Sequence, residues 1–313
     1  LRFSIVIPVA PLRKAPVLKS IETMEYDKSD FEVIVERGTN PSIGRNKGIK
    51  KAKGEIIAFV DDDAEVTKEW LGIADVFFKG HPDISIVGGP QLTPLDAGVF
   101  QRGQGNVFSS YFGSYKMSSR YKRGKMNLDA EESNLTSVNM FVRKNVFDVL
   151  KPFNGALYPN EETEFLFRSK KSGLGIAFNP DLVVYHKRRE SLWAFSKQCF
   201  GYGTGRARQD LLTGSVPGLK VVIPMLFMLY VLMLPVFYRV NVYISSLFFI
   251  YMLISLSNAI IISVRSKDIM QLFLFPLLCM LNHMLYPAGY LYEYIKRHLS
   301  SRGIKRGVNG RER

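Results

Sequence analysis

Cysteine is almost absent. Its two occurrences, Cys199 and Cys279, supply neither a disulfide framework nor the paired spacing of a structural zinc site. No internal repeat or low-complexity stretch runs through the 313 residues, which excludes solenoid and fibrous architectures and leaves room for one large domain or two. No secretory leader is expected ahead of the first strand, because apolar residues begin at once over 3–7. Acidic residues are in the minority: 28 Asp and Glu face 42 Lys and Arg, a net charge of +14. The excess lies after Tyr185, in Lys187-Arg188-Arg189, at Arg206 and Arg208, and over 296–313. A nucleic-acid binder would set such residues along a groove with stacking aromatics. Here they flank apolar spans, where anionic lipid headgroups are the commoner partner. The mean hydropathy of +0.02 averages two unlike parts, a soluble-looking 1–210 and a membrane-like 219–295.

Against this background one stretch organises the rest. Ile56-Ile57-Ala58-Phe59-Val60 runs straight into Asp61-Asp62-Asp63. The apolar run reads as a strand buried on both faces. Three acids at its end cannot all be buried unpaired, since each ionised carboxylate would cost several kcal/mol. Mg2+ or Mn2+ would satisfy them; the alternative is a solvated acidic turn leading into the next helix.

The pattern around the triplet is that of an α/β chain. Strands are expected at 3–7, 31–35, 84–87 and 139–142, and helices at 14–25, 41–53 and 67–79, with Asn40-Pro41 as an N-cap and N1 pair. Such alternation implies a parallel sheet whose ligands bind beyond the carboxyl ends of the strands. Pro8, Glu36 and Asp61–Asp63 share that address. Residues 91–135 are expected to be irregular and to order when an acceptor binds. A second acidic cluster, Glu161, Glu162 and Glu164, opens a helix after Asn160. Glu161 and Glu164 can pair with Arg168 on one face. Glu162 points about 100° away from that face, which makes it the candidate general base. His186 follows a short strand and reads either as a cation or diphosphate contact or as a surface histidine.

These pieces together resemble the family 2 glycosyltransferases of GT-A fold. The resemblance is carried by Phe3-Ser4-Ile5-Val6-Ile7-Pro8-Val9, Gly44-Arg45-Asn46-Lys47-Gly48, the aspartate triplet, Asn139 before Arg143, Asn160-Glu161-Glu162-x-Glu164, and Asn179-Pro180 ahead of Tyr185-His186. The segment from Arg189 to Arg208 is similar to that of the membrane-bound succinoglycan-type branch, which builds exopolysaccharides. The resemblance implies a Rossmann-like, mostly parallel GT-A catalytic domain, and Mg2+ or Mn2+ on the diphosphate of a nucleotide sugar. It implies that Pro8, Glu36, Arg45, Asp61 and Asp62 hold a UDP- or GDP-sugar, that Asp63, Asp61 and His186 hold the cation, and that Glu162 takes the acceptor's proton. Asn139 and Glu161 would lie on the acceptor side. Arg188, Arg189, Arg206 and Arg208 would meet the phosphates of donor or lipid, or serve as an interfacial basic face. Two departures stand out: the second strand ends in Glu36-Arg37 instead of an acid pair, and the base motif reads Glu-Glu instead of Glu-Asp. A Gln-x-x-Arg-Trp motif, associated with processive polymer synthesis, is absent, so one sugar per acceptor is expected.

The remaining chain divides into a basic amphipathic interfacial segment (187–218), a transmembrane helical region (219–295) and a basic tail (296–313). The runs 221–238, 242–264 and 269–292 carry no Asp, Glu, Lys or Arg, and each is long enough to span a bilayer. Three full spans would place the tail opposite a cytosolic catalytic domain, whereas its seven Lys and Arg against one Glu favour the inside. Either the third run dips and returns, or the first is two short pieces. The sequence thus points to a metal-dependent, inverting glycosyltransferase of the cell membrane. Its catalytic domain, 1–186, would face the cytosol and move one sugar to a polyprenyl-linked acceptor. A polyprenyl-phosphate sugar synthase and a non-catalytic subunit of a polysaccharide export complex are the alternatives.

Overall fold

The structure, a computed structural model, describes residues 1–240 and 242–309. It divides into two compact units, the first Leu1–Arg188 and the second beginning at Arg189.

In the first unit, β1 (Phe3–Val9), β2 (Phe31–Arg37), β3 (Ile56–Val60), β5 (Ile84–Gly88), β7 (Asn139–Arg143) and β8 (Gly175–Phe178) form a six-stranded sheet in the order β2-β1-β3-β7-β5-β8. All five side chains of β3 are fully buried, as the unbroken apolar run requires; each of the large ones contributes about 1.5–3 kcal/mol by burial. One face is covered by α1 (Val17–Glu22) and α3 (Trp70–Gly80), the other by α2 (Pro41–Lys51) and α7 (Glu161–Lys171). Asn40 caps α2 by accepting from the Ser42 and Ile43 amides. The helix lies so close to β1 that a Cβ on Gly48 would fall 2.3 Å from Val6, so only glycine permits this packing.

The expectation of parallel strands needs one correction. β7 runs antiparallel to both β3 and β5. The chain reaches it through a long excursion instead of a single crossover helix, so the right-handed crossover rule does not constrain its direction. That excursion also corrects the reading of 91–135 as irregular. It contains β6 (Gln91–Leu92), α4 (Val99–Ser109), α5 (Tyr111–Ser114) and a 3-10 segment, Tyr115–Tyr121. The inward side of α4 is partly made of small residues, with Gly105 against Thr93, so apolar periodicity does not reveal it. β4 (Ala64–Val66), β9 (Val184–His186) and β6 make a second, three-stranded sheet in the order β4-β9-β6. The short helix α6 (Val146–Val149) follows β7.

The second unit holds α8 (Leu192–Thr213), α9 (Leu219–Val240), α10 (Val242–Ser266) and α11 (Gln271–Asn309). The segments Leu219–Val240, Tyr243–Ser266 and Gln271–Leu299 are long and apolar enough to cross a membrane. The first apolar run is one helix despite Pro224 and Pro235, and the third is one continuous helix despite Pro276 and Pro287. Neither the split first span nor the dip-and-return is present. α8 buries Phe195, Cys199, Gly203 and Ala207, and its Gly203 lies where a Cβ would fall 1.9 Å from the Tyr286 carbonyl oxygen of α11. Gly289 makes the reciprocal approach to Phe200. Two backbones in contact through small residues give a packed helix pair, where the sequence reading had an amphipathic helix lying on the lipid surface. At the same end of this unit, Val221 of α9 clusters with Tyr290 of α11 and Ala207 of α8.

Candidate active site

The site begins where β3 ends. Asp61, Asp62 and Asp63 follow Val60 directly, and β4 then turns the chain so that Ala64 pairs with His186 of β9. That register delivers the imidazole to the triplet: His186 Nε2 is 2.9 Å from Asp63 Oδ1. One ligand atom each from Asp61, Asp63 and His186 lie within 4.8 Å of one another, all half-buried. Asp62 Oδ2 is buried without a hydrogen-bond partner. Carboxylate oxygens with one imidazole suit Mn2+, and Mg2+ nearly as well; these residues fit the cation that the chemistry calls for.

Two arginines tie the triplet to its surroundings. Arg13, half-exposed in the segment after β1, reaches Asp62 at 3.1 Å and Asp63 at 2.8 Å. Arg37, at the end of β2, donates 3.0 Å to the Arg13 carbonyl and so shapes the segment that carries it. Burial lifts the Asp62 carboxyl to about 6, with Arg13 pulling the other way and its two acidic neighbours adding to the rise. Arg45, on α2, is buried. Its guanidinium donates 2.6 Å to Asp61 and 2.8 Å to Glu161 Oε1. Burial opposes its charge, but Asp61 and Glu161 outweigh burial and hold it protonated. A single side chain thus brings the end of β3 and the start of α7 within one guanidinium of each other.

Glu162 follows Glu161 on α7. Burial pushes its carboxyl up to about 7, the charge of Glu161 adds to this, and Arg120 and Arg45 oppose it. Arg120 Nη1 is 3.8 Å from Glu162 Oε1, while its other nitrogens donate to the carbonyls of Glu132 and Ser133. α7 begins after Asn160 as expected, although the Asn160 side chain makes no capping hydrogen bond. Glu164 pairs with Arg168 at 2.5 Å, and Glu161 turns instead to Arg45.

Several sequence-derived roles are corrected by these contacts. Asn139, expected on the acceptor side, is fully buried; it accepts from Trp70 Nε1 at 3.0 Å and donates to the carbonyls of Leu182 and Pro90. It pins β7 to the segments beside it. Glu161, also placed with the acceptor, is buried and holds Arg45. Arg188, read as a phosphate contact, is buried over the Tyr121 ring with its guanidinium on Gln91 and Thr93. Arg206 pairs with Asp210 at 2.8 Å along α8, and Arg208 joins α8 to α11 through Glu293 at 2.9 Å. Arg189 is exposed. Pro8 is buried at the end of β1 against Gly44 of α2, and Glu36 is buried with Lys51 at 2.5 Å. Arg13, Gln91 and Arg120 carry no signal in the sequence, because strand pairing and helix packing bring each to the site across long stretches of chain.

Residues 16–150 match the family described as Glycosyl transferase family 2. Over 190 residues the chain is 26% identical to glycosyltransferase AglE of Haloferax volcanii, covering 60% of this chain and 57% of that protein; it therefore spans little more than half the length of this relative. A mannosyltransferase from Pyrobaculum calidifontis, PcManGT, in complex with GDP-Man and Mn2+, shares the fold at a TM-score of 0.55 and 12% identity, over 94% of this chain and 87% of that one. TarS of S. aureus with UDP-GlcNAc aligns at a TM-score of 0.48 and 15% identity, over 96% and 92% of the two chains.

Proposed function

Starting from a chain that carries a family 2 glycosyltransferase domain, we propose that it moves one sugar from a nucleotide-sugar donor to a hydroxyl of a lipid-linked, polyprenyl-type acceptor, with inversion at the anomeric carbon. The observation that carries this reading is the bridge made by Arg45. It joins the acids suited to a cation and diphosphate to the helix start that bears Glu162. Donor and acceptor chemistry then share one cleft, beyond the carboxyl end of β3.

Asp61, Asp63 and His186 would hold Mg2+ or Mn2+, which when bound neutralises charge on the leaving diphosphate. Arg13, beside the same acids, supplies a further positive charge. Glu162 takes the proton of the attacking hydroxyl, and its raised pKa matches that task near neutral pH. The neighbouring carboxylates are occupied: Asp61 and Glu161 by Arg45, Asp62 and Asp63 by Arg13. One base and no available covalent nucleophile fit a single displacement. Arg120 holds Glu162 from the far side and steadies the carboxylate once it is charged.

The enzyme belongs in the cell membrane with its catalytic domain in the cytosol, where nucleotide sugars are found. The tail is proposed on that same side. Val221, at the start of the first span, clusters with Tyr290 near the end of the third. The Tyr230 hydroxyl donates to the Ile244 carbonyl, so α9 and α10 pack on each other. A tail on the side where the first span starts satisfies the positive-inside rule.

The test is a donor screen. Purified protein with Mn2+ or Mg2+ and a panel of UDP- and GDP-sugars releases nucleoside diphosphate when polyprenyl-linked acceptor is present. A product retaining the donor's anomeric configuration overturns inversion; no release with any donor overturns the reading.

A further inference from the structure

Resting on that reading of the cation site, we propose that Gln91 is a positioning residue for it: by accepting the Nδ1 proton of His186, Gln91 turns the Nε2 edge of the ring toward Asp61 and Asp63. Arg188 keeps the Gln91 amide the right way round.

His186 Nδ1 is 2.9 Å from Gln91 Oε1, and the opposite ring nitrogen faces Asp63. An amide can be turned by half a revolution with little change in shape, so the identity of the atom facing His186 has to be fixed by something else. Arg188 fixes it. Its Nη1 lies 3.2 Å from the same Gln91 oxygen, and a guanidinium only donates. The other end of the amide donates to Thr136 Oγ1 at 3.2 Å. Arg188 cannot swing away easily: it is buried, its Nη2 donates 2.6 Å to the Gln91 backbone carbonyl, its Nε donates to Thr93, and it lies over Tyr121.

With the amide oxygen held in place, Nδ1 has to donate, since a bare Nδ1 would set a lone pair against the Gln91 oxygen at 2.9 Å; the Nε2 edge of the ring then faces Asp63. The strand register completes the device. β6 pairs parallel with β9, Gln91 opposite Val184, two residues before His186. The position of Gln91 is therefore a consequence of the small sheet itself. A ligating imidazole whose second nitrogen donates to a fixed acceptor is oriented and made a better donor, and removing such a partner costs about 10–100-fold in metal affinity.

Mn2+ binding is the direct test, followed by electron paramagnetic resonance on the full-length protein in detergent, with metal-free thermal stability measured in parallel. Gln91→Leu is expected to weaken Mn2+ binding about 10- to 100-fold. Gln91→Glu keeps an acceptor at Nδ1 and should stay within about threefold of the native affinity. Nitrogen-15 spectra of the four histidines, with the His186 signal identified by its loss in His186→Ala, should show a proton on Nδ1 in the native protein with Mg2+ and without it. Native affinity in Gln91→Leu overturns the proposal, as does an Nδ1 that carries no proton, whether or not Gln91→Leu folds. A lower melting temperature in Gln91→Leu with unchanged Mn2+ affinity in its folded fraction would also overturn it, leaving a purely structural role. If the native protein itself binds no Mn2+, it is the reading of the cation site that fails.

Discussion

Replacing Glu162 by glutamine should move activity and stability in opposite directions. The carboxyl is lifted from 4.5 to about 7, chiefly by burial and then by Glu161. At 1.36 kcal/mol for each tenfold change, that corresponds to an upper limit of roughly 3 kcal/mol spent on charging it in the folded protein. The sign follows from the folded value lying above the unfolded one. Below pH 4.5 neither state is ionised and there is no penalty; stability falls as pH rises from 4.5 to about 7, and the full penalty is present above that. The amide introduced by Glu162→Gln cannot ionise, so at pH 8 the variant should melt at a higher temperature than the native protein, and at pH 4.5 the two should melt together. Transfer should behave oppositely. A general base contributes about 10²–10⁴-fold, and kcat should fall by that factor. In the native enzyme kcat/KM for the acceptor should fall about tenfold for each pH unit below about 7. The assay is nucleoside diphosphate release with lipid acceptor over pH 5–9, beside thermal melts at both pH values. Full transfer by Glu162→Gln would refute the base assignment and favour a phosphate acceptor, which is already ionised. A melting temperature unchanged at pH 8 would refute the burial argument.

Three further outcomes are expected. Asn139→Ala should cost about 2–5 kcal/mol, because the Trp70 N–H and the Leu182 carbonyl lose their partner, with the acceptor KM unchanged in the folded fraction; a raised KM at constant melting temperature would reinstate an acceptor role. Gly203→Ala should destabilise the second unit by about 1–3 kcal/mol, since its Cβ would fall 1.9 Å from a carbonyl oxygen. Gly201→Ala, with nothing nearby, should be neutral or slightly stabilising in the same detergent melt. A C-terminal tag should resist external protease in intact cells and be cut in inverted vesicles; loss from outside would sink the placement of the tail on the cytosolic side.

The place of the acidic triplet at the end of β3 and of Glu162 at the start of α7 was legible because the signals are local. An apolar run ending in carboxylates, and a helix start with one acid off the paired face, can each be seen within about ten residues. The side chains that hold them were not legible. Arg13, Gln91 and Arg120 depend on contacts with residues 49, 95 and 42 positions away, and a basic or amide side chain alone in a loop says nothing of its partner. Asn139 misled for the same reason: a motif position at the start of a strand looks the same whether its amide faces a ligand or the core. The antiparallel sense of β7 was also hidden, since alternating strands and helices give element order but not direction once a connection is long. In the second unit, apolar length announced three spans, while the role of α8 rested on glycines whose meaning appears only when another backbone lies against them.

The last helix also works as a ruler. With 39 residues it rises about 58 Å, nearly twice the roughly 30 Å of a bilayer's hydrocarbon. Standing upright in a bilayer, it would leave about half of its length clear of the lipid. Tyr292 is exposed where that surplus begins, as aromatic side chains are at a waterline, and beside it Glu293 is clasped between Arg208 and Arg297. A bilayer thick enough to reach the clasp would draw paired charges into hydrocarbon, so the melting temperature in bilayers should have an optimum in acyl-chain length.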